Sequence, residues 1–304
     1  MRTIVHLSDL HFNWVEEALV PKLLESVRAL RPNVVAVSGD FTQHARPEEF
    51  ERARTFVRSL PGHLILVPGN HDMAFLNPWR RVMQRLSLYK KYITHNLQPQ
   101  YSDAEVMIMG LNTARVAHLR DGRVREWQVD HMEQAMTIAE PGAVRVLVTH
   151  HPFDLPESYA AAELIGSRVM KRVVAAVDVL LAGHMHISHA APTAIRYKLA
   201  GSSAIFVQAG TALSTRSRGE PNSFQVVRTR GSSIEVEQYS ASDPEAGFHP
   251  VKTTRFIRSE SGWRAATLEV NAEATPEDMR VLRVEQRIAS DIPGNSVTPR
   301  QPAR

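Results

Sequence analysis

Apolar positions along the first 240 residues alternate between two patterns. Short β-branched runs, read as strands, occupy 3–8, 33–38, 63–67, 105–111, 144–149, 178–181, 204–208, 223–229 and 233–238. Between them apolar residues recur at helical spacing. Val15, Leu19, Leu23, Val27 and Leu30 form one such stretch, closed by Arg31-Pro32; others span 47–60, 78–91, 126–139 and 161–177. Strands alternating with helices predict an α/β protein. Beyond residue 240 the pattern loosens. Strands are predicted at 251–258 and 263–270, and Thr275-Pro276-Glu277-Asp278 resembles a helix start with Pro in the first turn. The chain therefore divides into a main domain over 1–245, an extension over 246–290 and a disordered, Pro- and Ser-rich tail over 291–304. The extension is left with three roles: capping the site, mediating a homodimer, or completing the second sheet.

Composition narrows the class. With 304 residues, 43% hydrophobic and 22% charged, the chain has the make-up of an ordinary globular protein. No run of about 18 apolar residues is present, which excludes a membrane-spanning helix. Cysteine is absent, so disulfides, thiolate metal sites and a cysteine nucleophile are excluded together. The net charge of +4 comes from 36 Lys+Arg well mixed with 32 Asp+Glu, which reads as a solvated surface rather than a nucleic-acid face. The opening apolar run ends at Asp9 without the features of an export signal, so a cytoplasmic location is expected.

The chemistry lies at the strand ends. Asp9 and His11 follow the first strand, Asp40 the second, Asn70 and His71 the third; His150 follows a later one, and His184 and His186 follow Leu181-Ala182-Gly183. In open α/β sheets, sites form outside the carboxyl ends of the strands, so these residues should converge. In extended backbone, Asp9-Leu10-His11 and His184-Met185-His186 would each aim two side chains to one side. Gly39 and Gly69, each placed just before a ligand-type residue, allow a sharp turn. Carboxylate and amide oxygens with imidazoles suit Mn²⁺, Fe²⁺/Fe³⁺ or Zn²⁺. Without His71, seven side chains remain, which exceed the needs of one ion but suit two divalent ions sharing a carboxylate. Asp9, His11 and His186 are assigned to the first ion, Asn70, His150 and His184 to the second, and Asp40 between them.

Asp9-Leu10-His11, Gly39-Asp40, Gly69-Asn70-His71-Asp72, His150 and Gly183-His184-Met185-His186 together resemble the signature of the calcineurin-like metallophosphoesterase superfamily. The opening Val5–Phe12 segment is similar to that of the bacterial class III cyclic-nucleotide phosphodiesterase group. The resemblance covers roughly residues 3–240. It implies a four-layer α-β-β-α sandwich of two mixed sheets flanked by helices, and a binuclear centre where a metal-bridging hydroxide attacks phosphorus. It also implies that His71 protonates the leaving oxygen, with Asp72 holding the other nitrogen of that imidazole.

The expected substrate is a small phosphodiester, such as 3′,5′-cAMP or a similar compound. The alternatives on the same residues are a phosphomonoesterase or a nucleotide pyrophosphatase. A DNA nuclease is disfavoured because basic and aromatic residues do not interleave, and a non-catalytic scaffold because every expected ligand is present. Candidate substrate contacts are Asn112 and Arg115 after one strand, and Arg216 and Arg218 in the loop that opens with Gly210-Thr211. His6 reads as a core residue. His151 and His189 adjoin candidate ligands and are given supporting or exposed places.

Overall fold

The chain runs β1 (Arg2–Leu7), α1 (Leu19–Ala29), β2 (Val34–Val37), α2 (Pro47–Ser59), β3 (His63–Leu66), α3 (Ser87–Tyr92), β4 (Gln100–Ser102), β5 (Val106–Leu111) and α4 (Glu126–Thr137). It continues through β6 (Val144–Thr149), α5 (Ser167–Ala176), β7 (Val179–Ala182), β8 (His189–Pro192), β9 (Ile205–Gln208), β10 (Asn222–Arg230), β11 (Ser233–Ala241), β12 (His249–Ser259) and β13 (Gly262–Val270). This computed structural model describes residues 1–74, 85–115, 122, 124–153, 167–194, 203–216, 218–260 and 262–271. The expected helix start at 275–278 and the tail over 291–304 lie outside the described residues. So do the first parts of the helices expected over 78–91 and 161–177.

Two mixed sheets result. One has the order β13-β12-β11-β10-β1-β2-β3 and the other β4-β5-β6-β7-β9-β8. In the first, β1, β2 and β3 run parallel, while β10 pairs antiparallel with β1. In the second, β5, β6, β7 and β9 are parallel, with antiparallel β4 and β8 at the edges. Both faces of the central strands are buried, so they read as continuous apolar runs.

Alternation along each strand builds the layers. Ile4, Val34 and Ala36 face Ile108, Val146, Val148, Val179 and Leu181 in a core made of strand residues, between the sheets. Their neighbours Val5, Leu7, Val35 and Val37 point the other way, onto Leu19, Leu23 and Val27 of α1 and Phe50, Ala53 and Phe56 of α2. On the far side Met107, Met109, Leu147 and Phe206 pack against Val129 and Met132 of α4 and Met170 and Val173 of α5. Helix, sheet, sheet and helix are thus stacked as four layers.

Local differences from the sequence reading have plain causes. α1 starts at Leu19 because Val15 pairs with Ser214 in an isolated antiparallel bridge, which holds the preceding chain extended. α2 opens with Pro47 at its first position, and the Glu49 carboxylate accepts the main-chain N–H groups of His44 (2.7 Å) and Arg46 (3.3 Å). β12 and β13 extend the sheet that contains β1. They are tied to the second sheet through Asp178, which accepts a hydrogen bond from the Trp263 indole at 3.1 Å. Among the described residues no helix is long and apolar enough to cross a membrane.

Candidate metal centre

The carboxyl ends of β1, β2, β3, β6 and β7 meet at one edge of the double sheet. The β1–β2 ladder continues past both strands: Asp9 N–H donates to Gly39 O (3.1 Å) and His11 N–H to Asp40 O (2.9 Å). Gly183 N–H reaches His150 O (3.0 Å), and His184 N–H crosses between the sheets to Asp9 Oδ2 (2.9 Å). Asp9 and His184, 175 positions apart in the chain, are thereby tied by a main-chain N–H on a carboxylate oxygen.

The expected extended geometry of the two ligand pairs is not what forms. Asp9 (φ 52°), His11 (φ 49°), His184 (φ 72°) and His186 (φ 57°) are all left-handed, and so is Asp40 (φ 53°). Each pair alternates left-handed, buried apolar, left-handed, with Leu10 and Met185 as the buried middle residues. Such backbone costs about 1–2 kcal/mol per non-glycine residue and persists only where surrounding bonds over-determine it. Gly39 adopts φ 95°, so its turn delivers Asp40 with no strain of its own.

The side chains assemble into two neighbouring groups. In the first, His186 Nε2 lies 3.1 Å from both Asp9 Oδ1 and His11 Nε2, and His11 Nε2 lies 3.6 Å from Asp9 Oδ1. In the second, Asn70 Oδ1 lies 3.0 Å from His150 Nε2 and 3.1 Å from His184 Nδ1. Asp40 Oδ2 stands between the groups, 3.7 Å from His11 Nε2 and 3.3 Å from His150 Nε2. Donor atoms bound at about 2.1 Å around one ion sit roughly 3.0–3.4 Å apart. Five of these seven spacings fall in that range, and the two from His11 to the carboxylates, 3.6 and 3.7 Å, lie just beyond it.

The donor set fits metal ions by a second criterion. Asp9 Oδ1 is buried and has no hydrogen-bond partner, although it faces two imidazoles. His186 Nδ1 donates to Arg216 O (2.8 Å) and His150 Nδ1 to Ser38 O (2.7 Å). Because a carbonyl can only accept, each ring is fixed with its proton on Nδ1 and its Nε2 turned inward, the orientation a metal-binding histidine needs.

Electrostatics agree. Burial alone would raise Asp9, but His186 and His11 hold its carboxyl well below the usual range. Asp40 is likewise kept ionised against its burial by His150 and His71. Burial opposes charge on His150, yet Asp40 and Asp9 raise it to about 9. His184 is pushed down to about 3 by burial and by the neighbouring His150. A cation held here would have to displace a proton from His150 and would meet two carboxylates already ionised.

His71 stands against the first group, its ring edge-on to His11 with centroids 4.9 Å apart. Its main-chain N–H donates to Asp40 Oδ1 (2.8 Å), and its Nδ1 donates to Gln43 O (2.8 Å). Asp72 therefore does not hold the His71 imidazole, contrary to the sequence expectation. Its carboxylate turns away and accepts Gly69 N–H (2.9 Å), Thr42 N–H (3.0 Å) and the Thr42 hydroxyl (3.1 Å), pinning the loop that carries Asn70 and His71. Burial and Asp40 raise Asp72 to about 7.

The four expected substrate residues divide. Asn112 and Arg115 line a separate cavity that shares none of the seven candidate ligands. Arg216 lies at the rim of the cluster, but its carbonyl holds His186 while its guanidinium covers the ring of Trp14, 5.3 Å from the centroid. Arg218 is exposed on the same loop. His6 is buried with Nε2 2.8 Å from Ser38 Oγ. Several supporting groups were not anticipated: the carbonyls of Ser38, Gln43 and Arg216, Ser8 Oγ donating to Asp9 Oδ2 (2.5 Å), and Thr211 Oγ1 donating to Asp9 O (2.7 Å). Carbonyl contacts leave no trace in residue type, whereas Ser8 directly precedes a ligand and could have been singled out.

The sequence profile of the calcineurin-like phosphoesterases matches residues 2–188, which include all seven clustered side chains. The chain belongs to the calcineurin-like phosphoesterase family. It is 27% identical over 189 residues to the glycerophosphodiester phosphodiesterase GpdQ of Enterobacter lignolyticus, covering 58% of this chain and 65% of that protein. It is 26% identical over 159 residues to a probable cyclic nucleotide phosphodiesterase of Synechococcus, covering 49% of this chain and 58% of the relative. The chain thus spans less than two thirds of the curated relatives it matches. A purple acid phosphatase from yellow lupin (Lupinus luteus) seeds shares the fold, with a TM-score of 0.63 at 10% identity over 84% of this chain and 53% of that one.

Proposed function

We propose that the protein hydrolyses small phosphodiesters with two divalent metal ions. The observation that carries this reading is the pair of donor groups with Asp40 Oδ2 between them. Asp9, His11 and His186 would hold one ion and Asn70, His150 and His184 the other, as Mn²⁺, Fe²⁺/Fe³⁺ or Zn²⁺. When bound, such a pair supplies Lewis acidity to the phosphoryl oxygens and activates water near neutral pH.

The chain's own residues supply the rest. His71 keeps Nδ1 on the Gln43 carbonyl, which leaves Nε2 to give a proton to the leaving oxygen. A positioned acid of this kind contributes about 10²–10⁴-fold. Asp72 and Thr42 hold His71 at that post by fixing its loop. Trp14, 41% exposed with the Arg216 guanidinium over its ring, stands at the rim, where it would meet the planar base of a substrate. That ring favours a cyclic nucleotide within the diester class, and two of the three matching curated relatives carry phosphodiesterase names.

The test is a substrate panel run with Mn²⁺, Fe²⁺ and Zn²⁺. It compares bis-p-nitrophenyl phosphate with p-nitrophenyl phosphate, and 3′,5′- and 2′,3′-cyclic nucleotides with glycerophosphodiesters and nucleotide anhydrides. Faster turnover of the diesters is expected. Preference for the monoester would overturn the diester assignment while leaving the metal assignment standing.

A further inference from the structure

A second cavity, of about 660 Å³, opens where the chain around α3, the end of β5 and the start of α4 come together. Its volume lies within the range of small-molecule sites. Arg85, Lys90, Arg115 and Arg125 line it with Trp127, and its described lining contains no Asp or Glu. Among the described residues no carboxylate pairs with Arg85, Lys90 or Arg125. Some arginines of the chain do pair with carboxylates, as Arg172 does with Asp130 (2.6 Å) and Glu133 (2.5 Å). Arg115 is braced on the cavity wall by donating to Gln128 Oε1 at 2.6 Å. Cations gathered in a recess whose described lining holds no carboxylate raise the local potential and draw anions, and guanidinium forks match phosphate geometry.

Trp127 adds a second requirement. It is 54% exposed, so a flat apolar face stands open beside the cations. A bare phosphate would fill little of the cavity and leave that face wet. A phosphate joined to a planar ring would satisfy both walls. We infer that this cavity binds a nucleotide-type anion, its phosphate against Arg85, Lys90 and Arg125 and its base against Trp127.

The cavity adjoins the metal cluster without sharing its residues. Thr113, next to Asn112 of the lining, lies 2.8 Å from His151 Nδ1, and the His151 ring is 4.6 Å from that of His184. On the other side Arg85 O accepts Ala74 N–H (3.1 Å), two residues beyond Asp72. The nucleotide is therefore either an arm of the substrate or a free effector bound next to it. The inference stands on the cavity alone and does not require the proposed hydrolysis.

Calorimetric titration of the metal-loaded protein with 5′-AMP, inorganic phosphate and adenosine tests it. AMP should bind, and Lys90→Gln/Arg125→Gln should weaken it by at least about tenfold. Lys90→Arg/Arg125→Lys, which keeps the charges, should restore most of the affinity. Trp127→Ala should weaken AMP and leave inorganic phosphate unchanged. Asp40→Ala, which removes the shared carboxylate, should still bind AMP. Unchanged AMP affinity in Lys90→Gln/Arg125→Gln overturns the inference, and so does AMP binding that disappears with Asp40→Ala. The source of the ligand is read from kinetics. A non-competitive effect of AMP on bis-p-nitrophenyl phosphate hydrolysis marks a free effector; competition against a nucleotide-bearing diester, weakened in Lys90→Gln/Arg125→Gln, marks the substrate's own arm.

Discussion

Gly183→Ala puts a single methyl group against the seam that joins the two sheets at the site. A Cβ at this position would lie 1.8 Å from Ser8 Oγ and 2.7 Å from Asp9 Oδ2. Both atoms are committed: Ser8 Oγ donates to Asp9 Oδ2 at 2.5 Å, and His184 N–H donates to the same oxygen at 2.9 Å. Gly183 cannot retreat freely, because its own N–H is bound to His150 O at 3.0 Å. The methyl must therefore displace Asp9 or part the strands. Overpacking of this kind costs about 1–3 kcal/mol, and losing the charge-assisted bond to Asp9 adds roughly 1.5–3 kcal/mol. A total of about 2.5–6 kcal/mol is expected, read by urea unfolding. A carboxylate shifted by about 1 Å would also lower turnover on the order of 10²-fold. Calorimetric Mn²⁺ titration should show the site containing Asp9 weakened. Ser8→Ala removes the nearer clash, so Gly183→Ala/Ser8→Ala should be less damaged than the sum of the two single changes, by about 0.5–3 kcal/mol. A Gly183→Ala protein with wild-type unfolding midpoint and two full metal equivalents would refute the packing argument.

Other perturbations separate the roles of the remaining residues. His71→Ala should retain both metals by elemental analysis while turnover falls about 10²–10⁴-fold; loss of metal with activity would remove its acid role. Trp14→Ala should raise KM for cyclic nucleotides and leave glycerophosphodiesters little changed, and equal effects on both would contradict a stacking rim. Burial pushes His6 down to about 3 from 6.5, so the unfolded chain takes up its proton first. The stability His6 contributes is complete above pH 6.5 and is lost as pH falls toward 3. Between pH 6.5 and 5 wild type should lose about 2 kcal/mol more than His6→Gln in urea unfolding; parallel curves would contradict this.

The layers were legible because the central strands are apolar on both faces and end in polar residues, as in Thr3–Ser8 and Val144–Thr149. β4 and β8 were not, being edge strands of three and four residues with little apolar signal. The convergence of Asp9, Asp40, Asn70, His150 and His184 followed from their positions at strand ends. Their backbone did not: left-handed Asp9 and His186 depend on hydrogen bonds from distant segments, although Asp and His tolerate that region better than most residues. Asp72 shows the same limit. Adjacent to His71 in the chain, it was expected to hold that ring, but Gly69 and Thr42 offer three donors on the opposite side, and a main-chain carbonyl takes the imidazole instead.

The central claim is that two ions share Asp40. Crystals grown with excess Mn²⁺, with anomalous differences collected at the manganese edge, measure it directly. Two peaks about 3.5–4 Å apart are expected, one beside Asp9, His11 and His186, the other beside Asn70, His150 and His184, with Asp40 Oδ2 between them. A single peak, or two peaks neither of which touches Asp40, would contradict the account.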